Sequence, residues 1–247
     1  MLKEARHSII LESLNERFYL SLHEIMKLTN SSESTIRADL IELANERKLI
    51  RLRGGAQALN KDVVAYELSN EDKMSIEVDA KRKIAEYAAK LIKDHNVVYI
   101  DAGTTTIHMI DFITAQQISI VTNSLSIAKK AKIKGYKVYV TGGDIKLATD
   151  AFVGALTQDI ISCFSFDVGF FGANGIDIVE GITTPEVEEA LVKQTAMSRC
   201  RKVYVLVDHS KIGIKTAVTF HPFIPEEIIT DRITNNYYQN KGMLEVK

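Results

Sequence analysis

Cysteine and proline are scarce in this chain, with two and three among 247 residues. Cys163 and Cys200 have neither paired-motif spacing nor companions, which excludes a disulfide framework and a cysteine-based metal site. Both flank apolar runs and are expected to be buried thiols of a reducing compartment. All three prolines fall at or after Pro185, so no proline interrupts the chain before that point. Long apolar runs are missing too, which excludes a helix spanning a bilayer. The N-terminal stretch MLKEARHSIILESLNERF mixes charge throughout and has no signal-peptide core. A cytoplasmic protein is expected. Charge of one sign is also lacking: 31 basic residues stand against 32 acidic ones, a formal net charge of −1. Bulk charge therefore names no partner, although a local patch still can. A hydrophobic fraction of 46% with 26% charged residues is ordinary for a globular chain, and the length suits a small domain plus a medium one.

Three short helices are expected at the start. Ile9, Ile10 and Leu14 give residues 3–15 one apolar face. Ser21 with Glu24 three residues on forms a capping box for LSLHEIMKL, and Leu20 and Ile25 are placed for a hydrophobic staple. Ser32 caps ESTIRADLIELANE, where Ile36, Leu40 and Leu43 share a face. The opposite face is read as Ser34, Thr35, Arg37, Ala38 and Asp39. Then LIRLRGGAQAL alternates apolar and basic residues and turns at Gly54-Gly55, a small hairpin. Arg47, Lys48, Arg51 and Arg53 are concentrated here. Arg51 and Arg53 fall on one strand face.

A helix with short hydroxylated side chains and one long donor fits a DNA major groove, and an arginine-bearing hairpin beside it reaches the phosphate backbone. A basic strand can equally be a plain solvated face, and residues 1–60 hold nine basic and eight acidic residues. The order of capped helix, short turn, capped helix and basic hairpin is much rarer than its parts. DNA-binding candidates are Ser32, Ser34, Thr35, Arg37, Arg51 and Arg53. The domain is expected to span 1–59, followed by a linker over 60–75 with no clean period.

The pattern changes over 76–247. NVVYIDAG, ISIVTNS, KVYVTGG, FDVGFFGANG and KVYVLVDHS each read as an apolar strand followed by a polar or glycine-rich loop. Helices are expected over 76–92, 105–113, 124–134, 153–162 and 185–199, with a last strand at 227–231. Apolar strands alternating with helices imply an open, mostly parallel, Rossmann-like α/β sheet covered on both faces. Ligands of such sheets bind beyond the carboxyl ends of the strands. The Gly103 and Thr104 to Thr106 loop is an anion site by geometry, or else a threonine-rich cap with no ligand. Asn123, Asp144, Asn174 and Lys211 lie in the corresponding later loops, with Lys211 offering a positive charge to a phosphate. Asp101 and Asp208 can accept from sugar hydroxyls or brace loops. His209 can bond a ligand or a backbone group. His108, His209 and His221 are too scattered for a metal site. An isomerase-like proton shuttle using Asp101, Asp208, His209 and Lys211 remains the alternative reading.

The segments SESTIRADL and IRLRGGA resemble the helix-turn-helix of the DeoR family of bacterial transcriptional regulators. DAGTTT, TNS, GANGID, EGITTP, DHSKIG and IITD resemble that family's effector domain, in the same order. Ala38 stands where the family has a second arginine, Ser31 where it has an apolar residue, and no glycine precedes the basic strand. The resemblance implies a winged helix-turn-helix domain joined to a domain of the ribose-phosphate isomerase and CoA transferase type. It further implies a repressor of a carbohydrate operon, binding double-stranded operator DNA and a phosphorylated sugar or sugar alcohol, as a homodimer or homotetramer. It calls for no cofactor, metal, membrane or catalysis. Gly103 to Thr106 and Lys211 would anchor phosphate, and Asp101, Asn123, Asp144 and Asn174 would line the rest.

Overall fold

A computed structural model describes residues 2–17, 19–46, 48–52, 54–58, 70–234 and 237–246. The chain divides into two compact units, Met1–Glu77 and Val78–Lys247.

In the first unit, helix α1 (Lys3–Arg17) precedes strand β1 (Tyr19–Ser21), helices α2 (Leu22–Thr29) and α3 (Glu33–Asn45), strands β2 (Leu49–Leu52) and β3 (Gly55–Ala58), and a short helix α4 (Asn70–Met74). Ser21 begins α2 as expected: its Oγ accepts the Glu24 amide at 3.2 Å, and the Glu24 carboxylate accepts the Ser21 amide at 2.8 Å. Two otherwise orphaned amides are satisfied by that exchange. Leu20 and Ile25 are fully buried beside it. Asn30, in the left-handed region at φ 45°, ends α2, and Ser32 caps α3. Ile36, Leu40 and Leu43 pack into one core with Ile10, Leu14, Leu20, Ile25 and Leu49.

The basic hairpin forms, but as two strands of three. β1 joins it in the order β1-β3-β2, all antiparallel. Gly55 makes that join possible, since a Cβ there would lie 2.2 Å from the Leu20 carbonyl oxygen. β1 has only three residues, too few for an alternating pattern to reveal it. α4 lies within the stretch expected as a linker; residues 60–69 of that stretch, like Arg47, Arg53 and Leu59, lie outside the described residues.

The second unit opens with α5 (Val78–Ala89), β4 (Val97–Ile100), α6 (Thr106–Phe112), β5 (Ser119–Thr122), α7 (Leu125–Ile133) and β6 (Lys137–Val140). A hairpin of β7 (Asp144–Lys146) and β8 (Ala151–Val153) leads to α8 (Ala155–Ser162) and β9 (Val168–Gly172). Then come β10 (Gly175–Asp177), β11 (Gly181–Thr184), α9 (Val187–Ser198), β12 (Val203–Leu206), β13 (Val218–His221), β14 (Ile228–Thr230) and β15 (Leu244–Glu245). Seven strands form a wholly parallel sheet in the order β15-β14-β12-β9-β4-β5-β6.

Neighbouring residues on the strands point to opposite faces. Val98, Ile120, Phe170, Leu206 and Ile229 enter one apolar cluster with α5, α6 and α7. Tyr99, Val121, Phe171, Val205 and Ile228 enter the other, with residues of α8, α9 and the side sheet. This is why the strands read as continuous apolar runs. The antiparallel side sheet β10-β11-β13, the β7–β8 hairpin and β15 are additions to the expected architecture; each is two to four residues per strand.

The cysteine expectation needs correction. Cys163 is exposed and Cys200 only partly buried. Cys163 caps the C-terminus of α8, one step past the turn whose Ile161 points inward. Burial pushes the Cys200 thiol up to about 12, so it stays protonated. Among the described residues, no helix is long and apolar enough to cross a membrane.

Candidate functional site

In the first unit, α3 exposes Ser34, Arg37, Ala38 and Ile41. Ser32 Oγ lies 3.0 Å from Ser34 Oγ and 2.8 Å from Thr35 Oγ1, so three of the expected DNA-facing hydroxyls form one cluster at the helix start. Arg37 is exposed and bonds Glu33 one turn back at 2.6 Å. Such exposed pairs add little stability, and a phosphate can replace the carboxylate. Arg51 is exposed on β2. Arg53 lies outside the described residues.

Asp39 is not on the outer face, as the sequence pattern suggested. It is 3% exposed and turned onto α1. Arg6 reaches it with two bonds, Nε to Oδ2 at 2.7 Å and Nη2 to Oδ1 at 3.0 Å, and His7 Nε2 lies 3.2 Å from Oδ1. Burial works to raise the Asp39 carboxyl, but the bonds and charges of Arg6 and His7 outweigh it and hold it below its usual value. The helical period allowed either flank. Arg6 and His7, more than thirty residues away in sequence, decide it.

In the second unit, the parallel sheet brings the loops after β4, β5, β9 and β12 to its carboxyl edge. The amides of Gly103, Thr104 and Thr105 donate to no protein acceptor among the described residues, while the Ala102 amide is taken by Asn123 Oδ1 at 2.9 Å. Three adjacent free donors suit an anion. α6 is only seven residues long, so the loop amides rather than a helix dipole carry that suitability. Lys211, in the 3-10 turn His209–Lys211, is partly exposed, and its ammonium makes no ion pair among the described residues.

Several expected ligand groups turn out to be occupied within the protein. Asn123 is 3% exposed; its Oδ1 holds Ala102 and its Nδ2 donates to the Phe152 carbonyl at 3.3 Å. Thr106 donates to the carbonyls of Asp101 and Gly103 at 2.7 and 3.0 Å and is fully buried. Thr104 and Thr105 are 8% and 7% exposed. Asn174 is partly exposed and accepts from Thr184 Oγ1 at 3.3 Å. Asp144 is exposed on β7, the outer hairpin. No hydrogen bond or ion pair among the described residues joins Lys211 to the Gly103 loop.

Asp101 is 1% exposed and bonded to Lys193 Nζ and to the Gly172 amide. Burial, the larger effect, lifts its carboxyl above the usual value in spite of Lys193 and the Gly172 amide. Lys193 is 5% exposed and lies over the Phe220 ring at 5.6 Å. Glu189, one turn earlier on α9, accepts from Lys146 at 2.8 Å and Thr149 at 2.9 Å, with Thr184 at 3.4 Å. Sequence reasoning passed over Lys193, Glu189 and Lys146. A signal existed: Glu189, Val192, Lys193 and Ala196 recur at helical spacing on the buried face of α9, so that face carries charge.

The 209–211 turn has its own brace. Arg232 Nη2 donates to His209 Nε2 at 2.8 Å, so the His209 proton sits on Nδ1 and is donated to Asp231 Oδ2 at 3.0 Å. Burial acts to raise Asp231, but the bonds from His209 outweigh it and keep the carboxyl low. Asp208 is 2% exposed and is taken up by the Ser210 amide and hydroxyl. His209 and Asp208 are thus committed to shaping the turn.

Comparison with known proteins agrees over both units. Residues 6–62 match the DeoR-like helix-turn-helix domain, and residues 76–232 the DeoR C terminal sensor domain. The HTH-type transcriptional regulator FruR of Bacillus subtilis is 36% identical over 250 residues, covering 100% of this chain and 99% of that one. The lactose phosphotransferase system repressor of Staphylococcus epidermidis is 34% identical over 86% of this chain and 85% of its own length. The regulator IolR of Bacillus subtilis is 32% identical, covering 83% of this chain and 81% of IolR. A ribose 5-phosphate isomerase from Methanocaldococcus jannaschii overlays with a TM-score of 0.40 and 17% identity, over 55% of this chain and 54% of that one, a likeness too loose to bear on function.

Proposed function

Since the chain belongs to the DeoR family, whose members are DNA-binding transcriptional regulators rather than enzymes, we propose that it represses a carbohydrate-utilisation operon and that a phosphorylated sugar or sugar alcohol modulates its hold on the operator. Residues 1–59 are the reading head, 60–75 the linker and 76–247 the sensing and oligomerising part. The protein acts in the cytoplasm as a homodimer or homotetramer, so that two heads meet two half-sites.

Ser32, Ser34, Thr35 and Arg37 meet the groove and its rim, and Arg51 and Arg53 meet phosphates. In the sensor, the phosphoryl group sits on the amides of Gly103 to Thr105, with Thr106 holding that loop and Lys211 supplying charge. Asp101 and Asn123 position the loop from behind. Asn174 and Asp144 are the remaining candidates for the sugar hydroxyls. The observation that carries this reading is the run of three amides at the carboxyl edge of the sheet that, among the described residues, meet no acceptor, together with Lys211 on the loop after β12, which makes no ion pair among those residues. A relative named as a lactose phosphotransferase system repressor supports the carbohydrate assignment.

Ligand and DNA affinities must then be coupled by the same factor in both directions. Fluorescence anisotropy on operator DNA, with and without a panel of phosphorylated sugars, tests the coupling. Lys211→Ala should abolish the response to the active sugar phosphate while leaving operator affinity within about twofold. A retained response would move the phosphate elsewhere.

A further inference from the structure

An α-helix advances about 100° per residue, and that fixes which side chains on α3 face directly away from the core. Ile36, Leu40 and Leu43 are buried. Ala38 and Asn45 lie diametrically opposite their mean direction, with Ser34 and Ile41 within about 60° of Ala38 on the same side. Arg37 stands about 100° from Ala38, on the flank. Its guanidinium is drawn further back by Glu33 at 2.6 Å. Thr35, on the other flank, is gathered to Ser32. Glu42, about 40° from Ala38 on the other side, is drawn to Lys3 of α1 at 2.6 Å, so the rest of the crest is small and uncharged, and Ile41, which is 45% exposed, is its largest apolar group.

A lone exposed isoleucine asks for no explanation. Here it follows exposed Ala38 by three residues, on the ridge that a helix-turn-helix turns toward base edges. The major groove offers one apolar feature, the C5 methyl of thymine. Ala38 and Ile41 are about 4.5 Å apart along the helix axis, near the rise of about 3.4 Å between base pairs. We propose that Ala38 and Ile41 read thymine methyl groups in each half-site, so that base selection at the centre of the helix is apolar and Arg37 acts at the rim. This rests on α3 being the recognition helix.

The test uses the full-length protein to enrich duplexes from a random pool. Each thymine of the enriched half-site is then replaced in turn by deoxyuridine, which lacks only the methyl. One or two positions per half-site should lose about three- to tenfold in affinity. Ile41→Ala, an exposed substitution compatible with the helix, should bind thymine and deoxyuridine equally at its position. Ala38→Ser should do the same at the neighbouring one. Deoxyuridine tolerated everywhere, or Ile41→Ala discriminating as the unaltered protein does, overturns the proposal. Failure to enrich any duplex would instead sink the assignment of α3 itself.

Discussion

In the first unit a buried aspartate, Asp39, meets Arg6 and His7; in the second, Asp101 meets Lys193. Both carboxylates are nearly inaccessible, yet they respond in opposite directions. Burial works to raise Asp39, but Arg6 and His7 bond both of its oxygens and hold it below its usual value. Asp101 lies above it, because burial outweighs the lowering effect of Lys193 and the Gly172 amide, which both bond Oδ2. Asp39 is a fastening between α1 and α3. Asp101 sits where the sheet edge must be shaped, and a sealed ion pair seldom adds stability over apolar residues of the same volume. Its use is geometric: it ties Gly172 and α9 to the end of β4, where the Gly103 loop begins.

The comparison breaks most visibly at Asp101. Asp101→Ala leaves Lys193 charged and sealed, and should cost about 3–5 kcal/mol in denaturant unfolding of the full chain. Adding Lys193→Met should recover most of that loss. A single variant costing under about 1 kcal/mol would show that water reaches the pair.

Asp39→Asn should have the next largest effect, and only on one side of a pH threshold. A carboxyl held low in the folded state stabilises it fully above the ordinary carboxylate value and ceases to do so as pH falls through the depressed one. The melting temperature of the natural protein should therefore carry an acid limb that the Asn variant lacks. Parallel acid limbs would mean that Arg6 and His7 do not discriminate the charged form.

Ser21→Ala removes the capping box and should cost about 1 kcal/mol, measured as a shift of the first unit's unfolding midpoint. Arg51→Ala should leave stability unchanged, weaken specific and random duplexes alike, and lower the salt slope of binding by about one unit. A loss confined to one sequence would place Arg51 on a base instead.

The helices other than α4 were legible because each carries its own signal. Ser21 and Ser32 mark two starts, and the apolar spacing of Ile36, Leu40 and Leu43 marks a face. The parallel strands were legible because burial on both sides leaves an apolar run such as VVYI. Short antiparallel pieces were not, since β10 and β11 have three and four residues and are specified by their partners. Site residues divide the same way. Gly103 to Thr106 announced themselves as a loop between a strand and a helix. Asn123 was found by position but assigned to ligand, because nothing local reveals that Ala102 and Phe152 claim its amide. Lys193 looked like one more lysine on a mixed helix; only the fold turns it inward to Asp101.

The tie from α1 to Asp39 makes the first few residues part of the reading head. A version of the protein trimmed past His7, by proteolysis or by a later start codon, would lose both partners of Asp39 at once. A bare, buried negative charge would then lie beneath α3, and the first unit of the shortened chain would lose stability even where the rest of its fold survives.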